Sequence, residues 1–374
     1  MNNKKKNKIV IFAIRSLCIG GAEKQFINLV KNIEKNNFDI YVITMYGGEL
    51  ESEITSVEKI NYINMNKKSR YDFNFFFRYK KLLSKINPDV IYSFLGEMNL
   101  FSYWCKPKRT KIIWGFRASN MDYQKYGRLS QLLFYLQKIY SKKVDKIIAN
   151  SYASIEFHKK YGFDMSKAVV IHNGIDTEKF KRNEKKRVEF RKKYGLKESD
   201  IAIGIVARID EMKGYPVLAK ASVKLFKEFN NIKIFAIGDG NIKIKDECKE
   251  ILGKYNNTRF VWLGKQKNVE NFYSGFDIYV SSSFGEGFSN SIAEAMACEV
   301  PCVVTDVGDS KIIVGDTGIV VKPRSEESLY EGIKKMINQN IKELGQKARE
   351  RIIENFSNEK MVKKTEMEIL KCAE

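Results

Sequence analysis

Short apolar runs rich in β-branched residues alternate with amphipathic stretches along nearly the whole chain, and this alternation limits the folds available to it. The candidate strands are KIVIFAI, DIYVITMY, DVIYSFL, TKIIWGF, DKIIANS and AVVIHNG in the first half, and IAIGIVA, IKIFAIG, RFVWLG, DIYVSSS, PCVVTD and GIVVKP in the second. Segments between them, such as residues 23–35, 215–229 and 325–338, show helical spacing of apolar residues. Alternating strands and helices predict an α/β fold with parallel sheets covered by helices on both faces.

This strand–helix pattern occurs twice within 374 residues, a length that favours two domains. The two occurrences are separated by a polar, charged segment that begins with a turn-forming Asn-Gly pair, HNGIDTEKFKRNEKKRVEFRKKYGLKESD. We predict two doubly wound, Rossmann-like domains facing across a cleft, residues 1–174 and 175–356, with the hinge near residues 172–176. The C-terminal helix, residues 357–374, is expected to pack back on the first domain. Such folds bind ligands outside the carboxyl ends of their strands.

The charge balance predicts an acidic partner. The formal net charge is +21, which suits nucleic acid, an anionic membrane surface or a phosphorylated small molecule, and charge alone does not choose among them.

The six cysteines are scattered and no histidine cluster accompanies them, so we expect a reduced, cytoplasmic protein without a bound metal. We expect the basic start of the chain to be a tail before a first strand and not a signal peptide, and no apolar run approaches the length of a membrane span.

The stretch SSSFGEGFSNSIAEAMA, residues 281–297, has the composition of an anion-binding strand–loop–helix unit. A helix that starts directly after a strand and a glycine-containing loop exposes free N–H groups and the positive end of its dipole, which suit a phosphate. Gly287 permits close backbone approach. Glu286 precedes the helix and can reach a hydroxylated group, whereas Glu294 lies inside it and can accept hydrogen bonds from the vicinal hydroxyls of a ribose. This arrangement fits a nucleotide-sugar.

Two other interpretations of this stretch remain open. The first is an N-capped amphipathic helix with two exposed glutamates. The second is the paired carboxylates of a glycosidase. Eight helical residues rise about 12 Å, which exceeds the usual separation of such a pair, although the loop can shorten it.

Two further motifs follow strands in the same way. Arg208 and Lys213 lie in the connection GIVARIDEMKG after the first strand of the second domain, where an arginine fork and a lysine suit a diphosphate. Ordinary surface basicity is the alternative. Gly20 and Gly21 begin another helix in the first domain, a pair that also fits a plain strand-to-helix turn.

Together these motifs resemble the retaining GT-B glycosyltransferases of family 4 over essentially the whole chain. The matching features are the glycine-rich first loop, the Arg-x4-Lys-Gly motif at Arg208, the E-x7-E motif at Glu286, the HNGID segment and the CEVPCVVTDVGDSKIIV segment. The resemblance implies an acceptor-binding first domain and a nucleotide-sugar-binding second domain. It also implies metal-independent transfer of a hexose or N-acetylhexosamine from a nucleotide-sugar, with UDP favoured and no cofactor, in surface-polysaccharide or glycan biosynthesis.

The resemblance also assigns residue roles. Arg208 and Lys213 would neutralise the leaving diphosphate, Glu286 would bind the transferred sugar, and Glu294 would hold the ribose. The implied donor-binding set is Gly20, Gly21, Arg208, Lys213, Glu286, Gly287, Phe288, Ser289, Asn290 and Glu294, with Phe288, Ser289 and Asn290 near the phosphates.

The chain departs from the family pattern at one position near the sugar. Many members carry a histidine after the fourth strand of the first domain, where this chain has IIWGFRASNMD with Arg117 in the corresponding place. We include Arg117 in the catalytic set with Glu286, Arg208 and Lys213. Arginine cannot act as a base at pH 7, so Arg117 either binds a phosphate or is structural. The WG-x-R-x-SN motif resembles a subgroup that acts in bacterial surface-polysaccharide assembly.

Aromatic and basic residues are interleaved in two segments of the first domain, NKKSRYDFNFFFRYKKLLSKINPD and YQKYGRLSQLLFYLQKIYSKK. Such helices suit an anionic membrane interface, unless the aromatic rings are core and the lysines face water. Because family 4 enzymes bind acceptors in this domain, we hypothesise a lipid-diphosphate-linked saccharide acceptor and a peripheral location at the inner face of the cell membrane.

Three competing functions belong to other classes. A nucleotide-sugar epimerase of similar architecture would need acid–base groups at the sugar ring, and the only histidines are His158 and His172. A basic nucleic-acid-binding protein is favoured slightly by the aromatic-basic segments and disfavoured by the E-x7-E motif. An inert nucleotide-sugar binder is disfavoured because Arg208, Lys213 and both glutamates are intact.

Overall fold

The computed structural model describes residues 7–117 and 127–374. By its contacts the chain divides into two compact units. Unit 1 comprises the chain up to Gly174 together with Asn358–Glu374, and unit 2 comprises Ile175–Ser357. The Ser-Asn of the WG-x-R-x-SN motif and the first residues of the second aromatic-basic segment lie outside the described residues.

Unit 1 contains a parallel sheet of seven strands in the order β3-β2-β1-β4-β5-β6-β7. The strands are β1 (Lys8–Ile14), β2 (Phe38–Thr44), β3 (Ile60–Asn64), β4 (Val90–Phe94), β5 (Lys111–Phe116), β6 (Lys146–Ala149) and β7 (Ala168–Val170). The helices are α1 (Gly21–Asn32), α2 (Ser52–Thr55), α3 (Asn74–Ile86), α4 (Gly96–Cys105), α5 (Arg128–Ser141), α6 (Tyr152–Lys160) and the C-terminal α15 (Asn358–Ala373). The chain order reverses between β1 and β4, which is the switch point where doubly wound sheets bind ligands.

The central strand β1 shows why these sequences form buried parallel strands. Ile14 lies opposite Thr44 of β2 on one side and Phe94 of β4 on the other. Its residues from Val10 to Ile14 are fully buried because helices cover both faces, so the run is continuously apolar. Four side chains of α15 join the same hydrophobic core as β1, namely Met361, Val362, Ile369 and Cys372.

Unit 2 contains a parallel sheet of six strands in the order β10-β9-β8-β11-β12-β13. The strands are β8 (Ile201–Val206), β9 (Ile232–Ile237), β10 (Phe260–Gly264), β11 (Ile278–Ser281), β12 (Cys302–Thr305) and β13 (Ile319–Val321). The helices are α7 (Glu184–Lys193), α8 (Tyr215–Glu228), α9 (Ile242–Leu252), α10 (Glu270–Tyr273), α11 (Asn290–Ala297), α12 (Ser310–Val314), α13 (Glu326–Ile337) and α14 (Ile341–Phe356).

Both faces of the unit 2 sheet are buried. Successive residues of β11, Tyr279 and Val280, belong to two different hydrophobic clusters, as expected where strand side chains alternate between faces. The two neighbouring strands β8 and β11 pair in parallel, so the loops that follow them emerge side by side at the carboxyl edge. Within the described part of the chain, no helix combines the length and the apolar character needed to cross a membrane.

Candidate active site

The loop after β8 is held in a tight, glycine-dependent conformation. The Asp210 carboxylate accepts a hydrogen bond from the Met212 N–H at 2.9 Å, which begins a short 3-10 turn over Glu211–Lys213. Gly214 follows with φ +62°, and a Cβ there would lie 2.0 Å from the carbonyl oxygen of Ser282. Because only glycine fits this left-handed position against the backbone after β11, the turn is packed directly onto that loop.

This packing brings Lys213 onto Glu286. The Lys213 ammonium lies 2.6 Å from Glu286 Oε1, and the Ser283 hydroxyl donates to the same oxygen at 2.7 Å. Both charged side chains are largely buried, with 24% and 12% of their surface exposed. Arg208 differs, because it pairs with Asp210 of its own loop at 2.8 Å and keeps 77% of its side chain exposed. The edge therefore carries a fixed lysine–glutamate pair and a solvent-accessible arginine.

The loop between β11 and α11 is fixed from the opposite side by the loop after β12. The Asp309 N–H donates to the Gly287 carbonyl at 3.0 Å. Gly308 has φ +57°, and a Cβ there would lie 2.3 Å from the Glu286 carbonyl oxygen. Glu286 and Gly287 are thus held by their backbone, which limits the freedom of the carboxylate.

The residues predicted to lie near the phosphates differ in what they can offer a ligand at the start of α11. Ser289 is the N-cap of α11, and Asn290 is its first residue. Phe288 is 6% exposed, and its ring lies 5.4 Å from that of Phe356 in the core. Phe288 can therefore reach a ligand at this edge only through its main chain, whereas Asn290 is half-buried.

Glu294 lies one turn inside α11 and is oriented by a tyrosine that the sequence analysis missed. The Tyr273 hydroxyl donates to Glu294 Oε2 at 2.9 Å. Burial, together with the charge of Glu294, holds the pKa of the Tyr273 phenol well above its usual range, so the phenol remains a donor at neutral pH. No local signal marks Tyr273, because it is one of two neighbouring aromatic residues in a short helix that precedes the motif.

The structure brings most of the predicted residues together and assigns three of them to unit 1. Those on the β8 and β11 loops and α11 of unit 2 are Arg208, Lys213, Glu286, Gly287, Phe288, Ser289, Asn290 and Glu294. Gly20 and Gly21 begin α1 in unit 1. Gly20 has an extended backbone with φ −157°, and a Cβ there would lie 2.1 Å from a carboxylate oxygen of Glu23.

Arg117 follows β5 at the carboxyl edge of the unit 1 sheet. Its Nη1 donates to the Asn173 side chain at 3.2 Å, and its Nη2 donates to the Tyr92 hydroxyl at 2.9 Å. The guanidinium also lies 4.7 Å from the centre of the Phe94 ring. Arg117 is thus a half-buried fixed cation, which suits a binding or structural role.

The structure places one of the two histidines of the chain in the core of unit 1. His158 is buried in α6, stacked on Phe116 with ring centres 4.1 Å apart, and burial lowers its pKa to about 4. It is a neutral core residue. Among residues 7–117 and 127–374, no group of three or more His, Cys, Asp or Glu side chains is arranged to hold a metal ion.

Two α/β domains built on parallel sheets, with cations and carboxylates on the loops of one carboxyl edge, define the class of GT-B enzymes. The comparisons with family models agree. Residues 186–358 match the model described as Glycosyl transferases group 1, and residues 19–179 match Glycosyltransferase Family 4. The chain belongs to the group 1/family 4 glycosyltransferases.

Two enzymes of named function are among the proteins similar to this chain. A Campylobacter jejuni protein named N-acetylgalactosamine-N,N'-diacetylbacillosaminyl-diphospho-undecaprenol 4-alpha-N-acetylgalactosaminyltransferase is 25% identical over 345 residues, covering 88% of this chain and 90% of that protein. The Staphylococcus aureus capsular polysaccharide biosynthesis glycosyltransferase CapM is 24% identical over 346 residues, covering 88% and 89%. The crystal structure of Anabaena HepE with UDP-glucose superposes with a TM-score of 0.79 at 18% identity, covering 98% and 100%, which supports the shared fold.

Proposed function

We propose that this glycosyltransferase moves a hexose or N-acetylhexosamine, with retention of configuration, from a UDP-sugar to a lipid-diphosphate-linked glycan in surface-polysaccharide or glycan biosynthesis. Family membership supports retention. The Anabaena structure with UDP-glucose supports the nucleotide, and the names of the Campylobacter and Staphylococcus relatives support the acceptor class and pathway.

The observation that carries the proposal is the pairing of Lys213 with Glu286 beside the start of α11, with Glu294 one turn further. A carboxylate suits sugar hydroxyls, and an ammonium beside it suits the phosphate that leaves that sugar. Lys213 can bind both groups because an ammonium has three donors. Glu294, already oriented by Tyr273, retains acceptor capacity for a ribose, since a carboxylate accepts about four hydrogen bonds.

The same residues account for transition-state stabilisation. Negative charge grows on the diphosphate as the glycosidic bond breaks, and Lys213, Arg208 and the N-terminus of α11 place positive charge there. We infer that the acceptor attacks from the face the diphosphate leaves, and that the leaving phosphate accepts the acceptor's proton. In this scheme no side chain acts as the base. Arg117, a fixed cation, is assigned to phosphate binding.

An exposed aromatic and basic face of α3 supports the proposal of a lipid-linked acceptor. This helix buries Phe75 and Tyr79 in the core, whereas Phe73 is 79% exposed and Phe77 is 68% exposed. Phe73 and Phe77 are four residues apart and lie on one helix face, and exposed lysines follow in the next turn. Exposed phenyl rings with lysines beside them suit an anionic lipid interface, and we propose that the enzyme binds peripherally at the inner face of the cell membrane.

Nucleotide binding tests the donor assignment directly. Thermal unfolding is recorded with UDP, GDP, ADP, CMP and common UDP-sugars for the wild type, Glu294→Ala and the matched control Glu250→Ala, an exposed glutamate of α9. We expect UDP and one or more UDP-sugars to raise the melting temperature of the wild type and the control, with a smaller rise in Glu294→Ala. No shift with any nucleotide would refute the donor site.

Transfer is then tested with the UDP-sugar that binds. The expected result is sugar transfer to polyprenyl-diphosphate-linked saccharides with the anomeric configuration of the donor, read by NMR. Conversion of the donor to a new nucleotide-sugar without acceptor would instead indicate an epimerase. Equal activity on soluble and lipid-linked acceptors, together with no binding to anionic vesicles, would refute the lipid-linked assignment.

A further inference from the structure

Four loops at the carboxyl edge of the unit 1 sheet converge on one charged cluster that the donor site does not use. Arg15 follows β1, Tyr46 follows β2, Lys67 follows β3 and Glu97 lies in the first turn of α4 after β4. Glu97 is paired on both sides, with Arg15 Nε 3.4 Å from Oε2 and Lys67 Nζ 3.5 Å from Oε1. These strands are contiguous in the sheet, and β1 and β4 flank its switch point.

Lys67 serves as a buried counter-charge. Its side chain is 1% exposed, and its ammonium also lies 3.2 Å from the Tyr46 hydroxyl and 2.9 Å from the Ser69 carbonyl oxygen. A buried ammonium is tolerated only when it is paired and hydrogen-bonded, and Glu97 is the carboxylate that pairs it. Since Glu97 is shared with Arg15, these three side chains together keep one net positive charge, and Glu23 of α1 is the further carboxylate within electrostatic range of Arg15.

That surplus charge is on Arg15, the exposed member. Its side chain is 53% exposed, and its guanidinium lies 5.7 Å from the centre of the Tyr46 ring. Within the described residues its Nη atoms make no hydrogen bond, and its ion pair with Glu97 is made through Nε. A guanidinium whose Nε side faces a carboxylate leaves its two Nη groups as a fork, the geometry that binds phosphate or carboxylate oxygens in pairs.

The backbone is strained two residues before Glu97. Leu95, the residue between β4 and α4, has φ +69° and ψ 146°. This region of backbone conformation is essentially restricted to glycine, so the backbone of Leu95 is strained. Such strain persists where the surrounding structure requires a particular geometry, and here it sets the direction in which α4 presents Glu97.

We propose that Arg15, oriented by Glu97 and Lys67, binds an oxyanion of the acceptor at the switch point of unit 1. The inference rests on the proposed function, because it requires a transferase whose acceptor carries a negative charge. Two sources share this chemistry, a lipid diphosphate and the carboxylate of an acidic sugar. Glu97 and Lys67 are positioning residues, and Arg15 is the group that touches the ligand.

The test measures binding by calorimetry with UDP present in excess, so that the donor site is filled. The probes are farnesyl diphosphate, farnesol and methyl glucuronide, and the proteins are the wild type, Arg15→Gln, Arg15→Lys, Glu97→Gln and the control Arg109→Gln. Arg109 is an exposed arginine that precedes β5, at the opposite edge of the same sheet.

We expect Arg15→Gln to weaken binding of an anionic probe about tenfold, the loss of one charge-assisted contact. Arg15→Lys and Glu97→Gln should give smaller losses, since one keeps the charge and the other keeps the arginine. Arg109→Gln and all farnesol affinities should be unchanged. A loss confined to farnesyl diphosphate assigns the oxyanion to the lipid, and a loss confined to methyl glucuronide assigns it to a sugar.

The inference is overturned if Arg15→Gln binds both anionic probes as tightly as the wild type does, or if it loses farnesol to the same extent. The UDP-induced thermal shift separates this outcome from failure of the proposed function. If UDP shifts the wild type and Arg15→Gln equally, the donor site is intact and only the Arg15 assignment is wrong. If UDP shifts neither protein, the proposed function fails.

Discussion

At the residue scale, the hydrogen bond from Tyr273 to Glu294 makes a prediction about nucleotide affinity. Tyr273→Phe removes the donor and leaves the ring in the core, so Glu294 loses this hydrogen bond and keeps its charge. Since a hydrogen bond to a charged group contributes about 1.5–3 kcal/mol, UDP affinity should fall about 10-fold or more. Calorimetric titration with UDP measures this change.

The matched control is Tyr79→Phe, which removes another buried tyrosine hydroxyl, one in unit 1 that shares a 3.1 Å hydrogen bond with the Ser102 hydroxyl. It should bind UDP nearly as the wild type does. If Tyr273→Phe also keeps wild-type affinity, the orientation of Glu294 does not depend on Tyr273.

The two cations of the β8 loop should differ in their effect on catalysis. Lys213 is largely buried against Glu286, whereas Arg208 is 77% exposed and paired only within its loop. A preorganised charge in a partly water-excluded site stabilises the transition state more than a solvated charge does. Lys213→Met should therefore lower kcat about 100- to 1,000-fold and Arg208→Met by less, in single-turnover assays with saturating UDP-sugar. An equal effect of both changes would contradict this ranking.

Some positions of the candidate site follow from sequence and others do not. The E-x7-E spacing places Glu286 in the loop after a strand and Glu294 inside the next helix, which is where the structure has them, and their roles stay predictions. The sequence assigned Lys213 and Glu286 to different parts of a ligand, whereas the structure pairs them with each other. Tyr273 and Arg15 carried no local signal, since their partners are far away in the chain and only the folded sheet brings them together.

At the element scale, the β8 loop depends on a glycine that can be tested against a matched glycine. Gly214 and Gly195 both have positive φ, +62° and +60°, but a Cβ at Gly195 would have no neighbour within 4 Å. Gly195→Ala should cost about 1 kcal/mol of unfolding free energy for the left-handed backbone alone. Gly214→Ala should cost about 2–4 kcal/mol, because its Cβ also meets the Ser282 carbonyl.

Urea unfolding of the two variants measures both values. Gly214→Ala should in addition weaken UDP binding, since Lys213 is the residue before it. Equal destabilisation by the two substitutions would show that the loop relaxes away from Ser282 without loss.

Because His158 is buried in helix α6, we predict that the free energy of unfolding depends on pH. The folded pKa of His158, about 4, lies below the usual value of about 6.5, so between these values the unfolded chain takes up a proton and the folded chain does not. The His158 contribution is complete above pH 6.5 and is lost as the pH falls towards 4. The loss amounts to about 3 kcal/mol of unfolding free energy.

Urea unfolding followed by fluorescence in a Trp262→Phe background reports on unit 1, where the other two tryptophans, Trp104 and Trp114, lie. His158→Phe should flatten the slope between pH 6.5 and 4, while His172→Gln should retain it. A slope unchanged by His158→Phe would assign the pH dependence to other groups.

Secondary structure elements were predictable where burial is uniform. Every strand except β3 was predicted from its apolar run. β3 has the sequence INYIN, lies at the edge of the sheet and is only partly buried, so it lacks the continuous apolar signature of a central strand. In helix α3 the sequence did not show which aromatic side chains are buried. Its sequence alone could not separate Phe75 and Tyr79, which are core, from the exposed Phe73 and Phe77.

At the scale of the whole molecule, the net charge of +21 and the exposed rings of α3 make separable contributions to membrane binding. Each lysine or arginine near an anionic surface contributes about 1 kcal/mol, and this attraction weakens within a Debye length as salt increases. Burial of a phenyl ring in the interface does not depend on salt in this way.

Vesicles of phosphatidylcholine with phosphatidylglycerol should therefore bind the protein strongly at 50 mM salt and more weakly at 500 mM, with a residual salt-resistant fraction. Phe73→Ser with Phe77→Ser should remove the residual fraction, whereas Lys80→Gln with Lys81→Gln should reduce the low-salt binding. Ile242→Ser, which removes a side chain 61% exposed on unit 2, is the control for loss of an exposed apolar group and should change neither. If the variant with Phe73→Ser and Phe77→Ser binds vesicles as the wild type does at both salt concentrations, α3 is not the membrane-facing element. The basic surface must then bind lipid through another part of the protein or bind another polyanion.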